Sequence, residues 1–308
     1  MRIPVAVPAG SGVDVVGVGQ NTVDHLCVVD AFPSVGTKGR LQAYEVQPGG
    51  QVATALVALS RWGARTAYVG VFGGDDGGRR ARAALVAEGV DVSAAPVREH
   101  EANQVSVILV DAPTGERTVL WHRSARLALD PAEVPVPRIA GARLLHLDGL
   151  DGPAALAAAA AARRAGVPVL ADIDTAVPET ERLLGLVDVL LVSWEFARAF
   201  SGADDPEGAL DALARGGSIV VGVTLGRDGV MARAGGRLVR VPGHRVVAAD
   251  TTGAGDVLHA GFIWGMLAGF GLQASLKLAN AAAALQCTAL GGRRAIPALA
   301  AARALAGV

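Results

Sequence analysis

A chain of 308 residues with 51% hydrophobic content can bury a sizeable core, and its length fits one large domain with a small accessory element. With 28 Lys+Arg against 29 Asp+Glu the net charge is −1, so no global field draws nucleic acid or an anionic membrane. The only two cysteines, Cys27 and Cys287, show no metal-ligand spacing and no disulfide framework. Residues 1–12 do not resemble a secretory signal, and the apolar run 154–165 is too short to span a bilayer, so a soluble cytoplasmic protein is expected.

In chain order, short β-branched apolar runs recur at 13–19, 66–71, 143–147, 167–173, 187–192 and 218–224. Helical patterns separate them at 50–62, 78–88, 152–165 and 206–215. This alternation predicts βαβ units, and hence an α/β fold with a mostly parallel central sheet flanked by helices. Segments 23–29 with 40–46, and 105–111 with 117–122, alternate instead like antiparallel strands. The turn Ala112-Pro113-Thr114-Gly115-Glu116 makes the second pair a hairpin, and the two pairs together predict a small β-sheet projecting from the main domain. Beyond residue 218 come a strand pair at 229–234 and 237–241, then helices at 255–267 and 272–290 whose Ala and Gly content permits close approach. The pairs Arg79-Arg80, Arg163-Arg164 and Arg293-Arg294 read as solvated positions.

The segment Asp250-Thr251-Thr252-Gly253-Ala254-Gly255-Asp256 carries the clearest chemistry, because it sets two glycines and an acid where an apolar helix begins. Free N–H groups and the positive end of a helix dipole there form an anion trap for a phosphoryl group. Asp256 inside it is placed as general base, with the Gly253, Ala254 and Gly255 amides stabilising transferring charge. The helix dipole should lower the pKa of Asp256. A turn with a helix cap is the bland reading of the same residues. No P-loop and no Gly-x-Gly-x-x-Gly occurs, which excludes a Walker-type nucleotide site and a Rossmann dehydrogenase.

With the small-residue helix start Ala260-Gly261, this segment resembles the second signature of the ribokinase-like carbohydrate kinases, the phosphofructokinase-B type. Gly49-Gly50-Gln51-Val52-Ala53-Thr54-Ala55, followed by Val69 to Gly78, resembles the first. Gly17 to Asp24, Val223 to Gly229 and Cys287 to Gly292 before Ile296-Pro297 are further matches in the family's order, covering nearly the whole chain. The resemblance implies one ribokinase-like three-layer domain over 1–308, with a discontinuous β lid from about 23–47 and 104–123 through which a homodimer can form. It also implies transfer of the γ-phosphoryl group of ATP, with Mg²⁺, to a hydroxymethyl group of a sugar or sugar derivative. A nucleoside kinase on the same fold and a non-catalytic sugar- or nucleotide-binding regulator remain the alternatives.

Site residues follow position by position. Asp24 falls where the family's carboxylate holds sugar hydroxyls, with Asn21 nearby and equally readable as a turn residue; Gly49 and Gly50 let backbone approach the substrate. Thr54 stands where the family often has Asn, so its sugar contacts must differ. Thr224, Gly226, Gly229 and Asn280 match the nucleotide border. Ser193-Trp194-Glu195 replaces the usual Asn-x-x-Glu, leaving Ser193 beside the nucleotide and Glu195 to reach Mg²⁺ or to be an exposed helix-start acid. Asp250 and the carbonyls of Thr252, Gln286, Ala289 and Gly291 align with a monovalent-cation (K⁺) site found in part of the family. Lys38 and His122-Arg123, on lid segments, could meet an anionic acceptor group. Trp121 and Gly149 stand where sulfofructose kinases of the family present polar and basic groups, so that acceptor is not expected.

Overall fold

Strands buried on both faces need a layer of helices on each side, and that requirement sets the architecture. The computed structural model describes residues 2–10 and 12–308. The first half runs β1 (Val15–Val18), β2 (Thr22–Val29), β3 (Ala43–Gly49), α1 (Gln51–Arg61), β4 (Thr66–Val69), β5 (Phe72–Gly73), α2 (Asp76–Ala87), β6 (Val97–Arg98), β7 (Val105–Asp111) and β8 (Arg117–His122). Then follow α3 (Val136–Ala140), β9 (Leu144–Leu147), α4 (Gly152–Arg164), β10 (Val169–Ala171), α5 (Thr180–Leu184), β11 (Val189–Ser193), α6 (Trp194–Ser201), α7 (Pro206–Ala214) and β12 (Val220–Thr224). The chain ends with β13 (Val230–Ala234), β14 (Arg237–Val241), α8 (Ala254–Leu267), α9 (Leu272–Gln286) and α10 (Leu299–Ala306).

Eight strands form the main sheet in the order β14-β13-β12-β11-β10-β9-β1-β4, parallel from β12 to β4 and antiparallel at the β14-β13-β12 edge. This is the expected α/β fold. One apolar layer joins α1, α8 and α9 to the sheet, and another joins α4, α5, α6 and α7 to the opposite face. In α4 alanines do most of this packing: Ala154, Ala155, Ala158, Ala159, Ala161 and Ala162 are all buried, so the helix lies close against its neighbours. Where α8 meets α9, a Cβ on Gly261 would come 2.6 Å from Ala279 Cα, so glycine permits that approach.

A second sheet has the order β3-β2-β7-β8, with β2 and β7 parallel and both outer pairs antiparallel. Its register places Asp24 between Gln47 and Ser106, and Ser106 opposite Trp121. Leu26, Ile108 and Val110 form its buried apolar face, with Leu290 packed against them. The expected strand at 40–46 lies three residues later, because pairing with β2 runs on through Pro48 to Gly49; β3 is an edge strand, where a proline is tolerated. The helix expected to reach 290 ends at Gln286, freeing the following loop to return toward Asp250.

Candidate active site

One carboxylate shapes the loop before α8. Asp250 is fully buried; its Oδ1 accepts from the Thr252 N–H at 2.8 Å and the Thr252 hydroxyl at 2.7 Å, and its Oδ2 accepts from the Gly291 N–H at 2.8 Å. The β7–β8 turn reaches the same loop: the Thr251 N–H donates to the Gly115 carbonyl at 3.0 Å, and Arg117 Nη1 donates to the Thr251 hydroxyl at 3.1 Å. Gly253 then takes φ +77°, and a Cβ there would lie 2.6 Å from the Gly292 carbonyl oxygen, so a side chain would be both strained and obstructed. No side chain caps α8, and the N–H groups of Gly255 and Asp256 have no partner among the described residues. Nothing lies within 4 Å of where a Cβ on Gly255 would sit. An uncapped helix N-terminus opening on free space fits anionic oxygen.

Asp256 follows in the first turn of α8. Burial, and then the charge of Asp172, push its carboxyl up to about 8, while His259 and Arg117 pull it back. The sequence expectation of a lowered pKa is therefore corrected. Loss of water and a second carboxylate outweigh the helix dipole.

The expected acceptor end centres on Asp24. It is 5% exposed, Oδ1 has no hydrogen-bond partner, and burial raises its carboxyl to about 6 against the pull of Ser106, Arg293 and Thr22. A Cβ on Gly49 would collide with the Asp24 carboxylate, and one on Gly50, at φ +97°, would come 2.5 Å from the Gln20 carbonyl. Asn21 is buried beside them, but its Nδ2 donates to Tyr68 Oη at 2.9 Å and the Val71 carbonyl at 2.8 Å; the amide acts as a brace. Thr54 is 1% exposed, and its hydroxyl accepts from Arg293 Nε at 3.2 Å.

Arg293 corrects the reading of its pair as solvated. Arg294 is exposed and ion-paired with Glu45, whereas Arg293 is 6% exposed, donates from Nη2 to the Gly49 carbonyl at 2.8 Å, and makes no ion pair among the described residues. Burial pulls its pKa down to about 10, with Asp24 and then Asp256 opposing, so this guanidinium stays charged between the two carboxylates. The cations expected on the second sheet and its loops are placed otherwise. Arg123 is spent on a buried ion pair with Asp151 at 2.8 Å, and its partner His122 is exposed. Lys38 lies exposed beyond the far end of β2 and is not brought to Asp24.

At the expected nucleotide border, Thr224 ends β12 beside Ser193 at the end of β11. Gly226 (φ +56°) and Gly229 (φ +97°) form the following turn, and a Cβ on Gly229 would strike the Val241 carbonyl. Asn280 Nδ2 donates to the Pro242 carbonyl at 2.8 Å, anchoring the chain as it leaves β14. Ser193 Oγ caps α6 by accepting from the Phe196 N–H at 3.1 Å, and Glu195 is exposed in that helix's first turn. At the aligned cation position, Gln286 Nε2 donates to the Thr252 carbonyl at 3.3 Å and the Gly291 carbonyl at 2.8 Å. The Gln286 side chain thus ties these two carbonyls together, with Ala289 half-buried on the same loop.

Comparison with known proteins decides the family: residues 13–299 match the pfkB family carbohydrate kinase. This chain belongs to that family. It is similar to a fructokinase of Klebsiella pneumoniae, 34% identical over 296 residues that cover 88% of this chain and 94% of the relative. A ribokinase of Haemophilus influenzae is 28% identical over 290 residues, 91% of this chain and 94% of its own. The crystal structure of an adenosine kinase from Sinorhizobium meliloti superposes with a TM-score of 0.85 at 25% identity, over 96% of this chain and 99% of that one. The chain is accordingly a carbohydrate kinase, an ATP-dependent phosphotransferase.

Sequence reading missed part of this kinase's site. Asp148 follows β9 and accepts from the Gln20 N–H at 2.7 Å and the Leu150 N–H at 3.1 Å; burial raises it to about 7. Asp172 follows β10, and burial together with Asp174 raises it well above the carboxylate range. His259 and His146 lie stacked in the core beneath Asp256, their centroids 5.7 Å apart. The signal for the acids was present: each directly follows an apolar run that ends a parallel strand, the edge where such sheets bind ligands.

Proposed function

We propose that this kinase transfers the γ-phosphoryl group of ATP to a hydroxymethyl group of a sugar or sugar derivative, with Asp256 as general base. The observation that carries the reading is the convergence of Asp24, Arg293 and Asp256. A buried carboxylate with an unpartnered oxygen, a buried guanidinium without an ion pair, and a carboxylate beside free helix amides are all close enough to perturb one another. Asp24 and Arg293 would accept from and donate to acceptor hydroxyls, turning the hydroxymethyl oxygen toward Asp256. As the new P–O bond forms, Asp256 takes the hydroxyl proton, and the N–H groups of Gly255 and Asp256 stabilise charge on the phosphoryl oxygens. Thr224, Gly226 and Gly229 would border the nucleotide. Mg²⁺ arriving with ATP would supply positive charge at the phosphates, and Glu195, exposed in the first turn of α6, would meet its water shell.

The contacts from Gly115 and Arg117 to Thr251 support a lid over 23–47 and 104–123 within a single domain. Val46, Val107 and Leu120 lie in one cross-strand row through His25, and all are exposed, which favours a homodimer through that outer face. A nucleoside kinase is the second reading, favoured by the half-exposed Trp121 opposite Ser106, a platform for a base beside Asp24. An ADP-release assay over sugars, sugar phosphates, sugar acids and nucleosides separates the two. Turnover by Asp256→Asn equal to wild type on the best acceptor would remove the base assignment.

A further inference from the structure

His259 lies on α8 one turn beyond Gly255, 2% exposed, facing the sheet. Its Nδ1 is 2.8 Å from the Gly255 carbonyl oxygen, and its Nε2 is 3.0 Å from the Leu191 carbonyl oxygen on β11. A carboxylate oxygen of Asp172 stands 3.3 Å from the same Nδ1. Each ring nitrogen therefore faces a backbone carbonyl oxygen, which can only accept. Neutral imidazole has a single N–H, so one ring lone pair would be aimed at a carbonyl oxygen at 3.0 Å or less; only the doubly protonated ring satisfies both contacts.

We propose that His259 is a buried imidazolium, held by the Gly255 and Leu191 carbonyls, and the positioning residue that aims and polarises the Gly255–Asp256 peptide of the anion loop. The peptide is planar and trans, so its C=O and N–H point in opposite directions. Anchoring the Gly255 carbonyl to a cation beneath the loop turns the Asp256 N–H outward, toward the transferring phosphoryl group. A charge-assisted bond on the carbonyl also strengthens the N–H on the far side of the same amide. The positive charge of His259 thus reaches the anion hole through one peptide unit. This rests on the assignment of that loop as the phosphoryl site.

The groups facing His259 come from α8 itself and from the strands packed against it. Just past β10 stands Asp172, whose own carboxyl is pushed well above its ordinary value by burial and then by the charge of Asp174. β11 presents only the Leu191 carbonyl. On β9, His146 stacks on His259 with an interplanar angle of 23°, and burial together with the charge of His259 holds it neutral, down to about 3. On α8 itself, Asp256 attracts the cation. Burial leaves the His259 pKa below its ordinary value, with the Leu191 and Gly255 carbonyls and then Asp256 opposing it, so the charge rests on the two short carbonyl contacts. Deprotonation would set a lone pair against an oxygen that cannot move, because each carbonyl belongs to a helix or strand backbone.

Two readouts test this. In protein labelled with ¹⁵N in its histidine rings, His259 should show two protonated nitrogens at pH 7, with the resonance assigned by His259→Gln or, if that variant misfolds, by His146→Asn removing its neighbour. One protonated and one bare nitrogen at pH 7 would overturn the proposal, whether or not any acceptor has been found. In kinase assays on the best acceptor, His259→Gln should lower kcat by roughly 10- to 100-fold, less than deleting an oxyanion donor outright can cost. It should also move the acidic limb of the pH profile to higher pH, and Asp172→Asn should move that limb to lower pH. Loss of thermal stability with both limbs unmoved would reduce His259 to a core residue. Absence of turnover on every acceptor, with the imidazolium observed, would fault the function and leave the charged histidine standing.

Discussion

Asp256→Asn keeps the shape of the side chain and deletes its titration, so it should change activity and stability in opposite directions. The folded carboxyl holds its proton up to about 8, against an ordinary value of 3.8. The folded state therefore binds this proton more tightly than the unfolded chain does. Stability contributed by the protonated form is fully present below 3.8, declines as pH rises, and is lost once pH passes about 8. A shift of roughly four units at 1.36 kcal/mol each sets an upper bound of about 6 kcal/mol. Partial exposure of Asp256 reduces that bound. Between pH 5 and 7 the slope approaches about 1.4 kcal/mol per unit, so the gap between variant and wild type should widen by up to about 3 kcal/mol in favour of the variant. Urea melts of both proteins at each pH measure the gap directly, since every other group cancels in the difference. A gap that stays constant from pH 5 to 8 would refute the argument that burial holds this carboxyl protonated.

The same variant should lose about 10²- to 10⁴-fold in kcat, the usual range for a positioned general base. Wild-type kcat/KM for the acceptor should rise about tenfold per pH unit until it levels near 8, because only the ionised fraction can take the proton. A flat profile from about pH 6 to 9 would mean that Asp256 is already ionised there, contrary to its surroundings. Stability gained where activity is lost is the expected signature of a strained catalytic group.

Other substitutions follow from the same geometry. Gly253→Ala must hold a side chain at φ +77° with its Cβ 2.6 Å from the Gly292 carbonyl, so thermal melts should show a loss of about 1–3 kcal/mol and assays a fall in kcat. Gly49→Ala drives a methyl group into the Asp24 carboxylate; acceptor phosphorylation should be abolished while calorimetry finds ATP binding within about twofold of wild type. Arg293→Lys loses the fork that reaches Thr54 and the Gly49 carbonyl together, each bond to a charged group being worth about 1.5–3 kcal/mol. It should raise the acceptor KM by about tenfold or more and leave the KM for ATP unmoved, a split that steady-state kinetics reads directly.

What the sequence made legible was chemistry carried by neighbours along the chain. Asp250, Thr252 and Gly253 form a local loop whose bonds span a few residues, so their spacing already describes the anion seat. Gly49 and Gly50 likewise announce a close backbone approach, although their obstructions, the Asp24 carboxylate and the Gln20 carbonyl, appear only in three dimensions. Strand periodicity gave the parallel sheet because those runs are buried on both faces. The start of β3 was misplaced because pairing with β2, rather than local alternation, decides where an edge strand begins and ends.

What stayed illegible was every property set by distant partners. Arg293 and Arg294 are adjacent and chemically identical, yet the loop after α9 turns one toward Thr54, 239 residues earlier, and leaves the other on Glu45 at the surface. Asp256 beside a helix dipole reads as acidic until Asp172 arrives from another strand. The two errors share a cause and together explain the departure at Thr54. A short hydroxyl at that position leaves room for a guanidinium from the C-terminal loop, which a longer amide side chain would fill. The buried guanidinium is then held by Thr54 within reach of Asp24 and Asp256, whose charge opposes its loss of a proton, so a threonine that looks like a lost contact is the residue that seats Arg293.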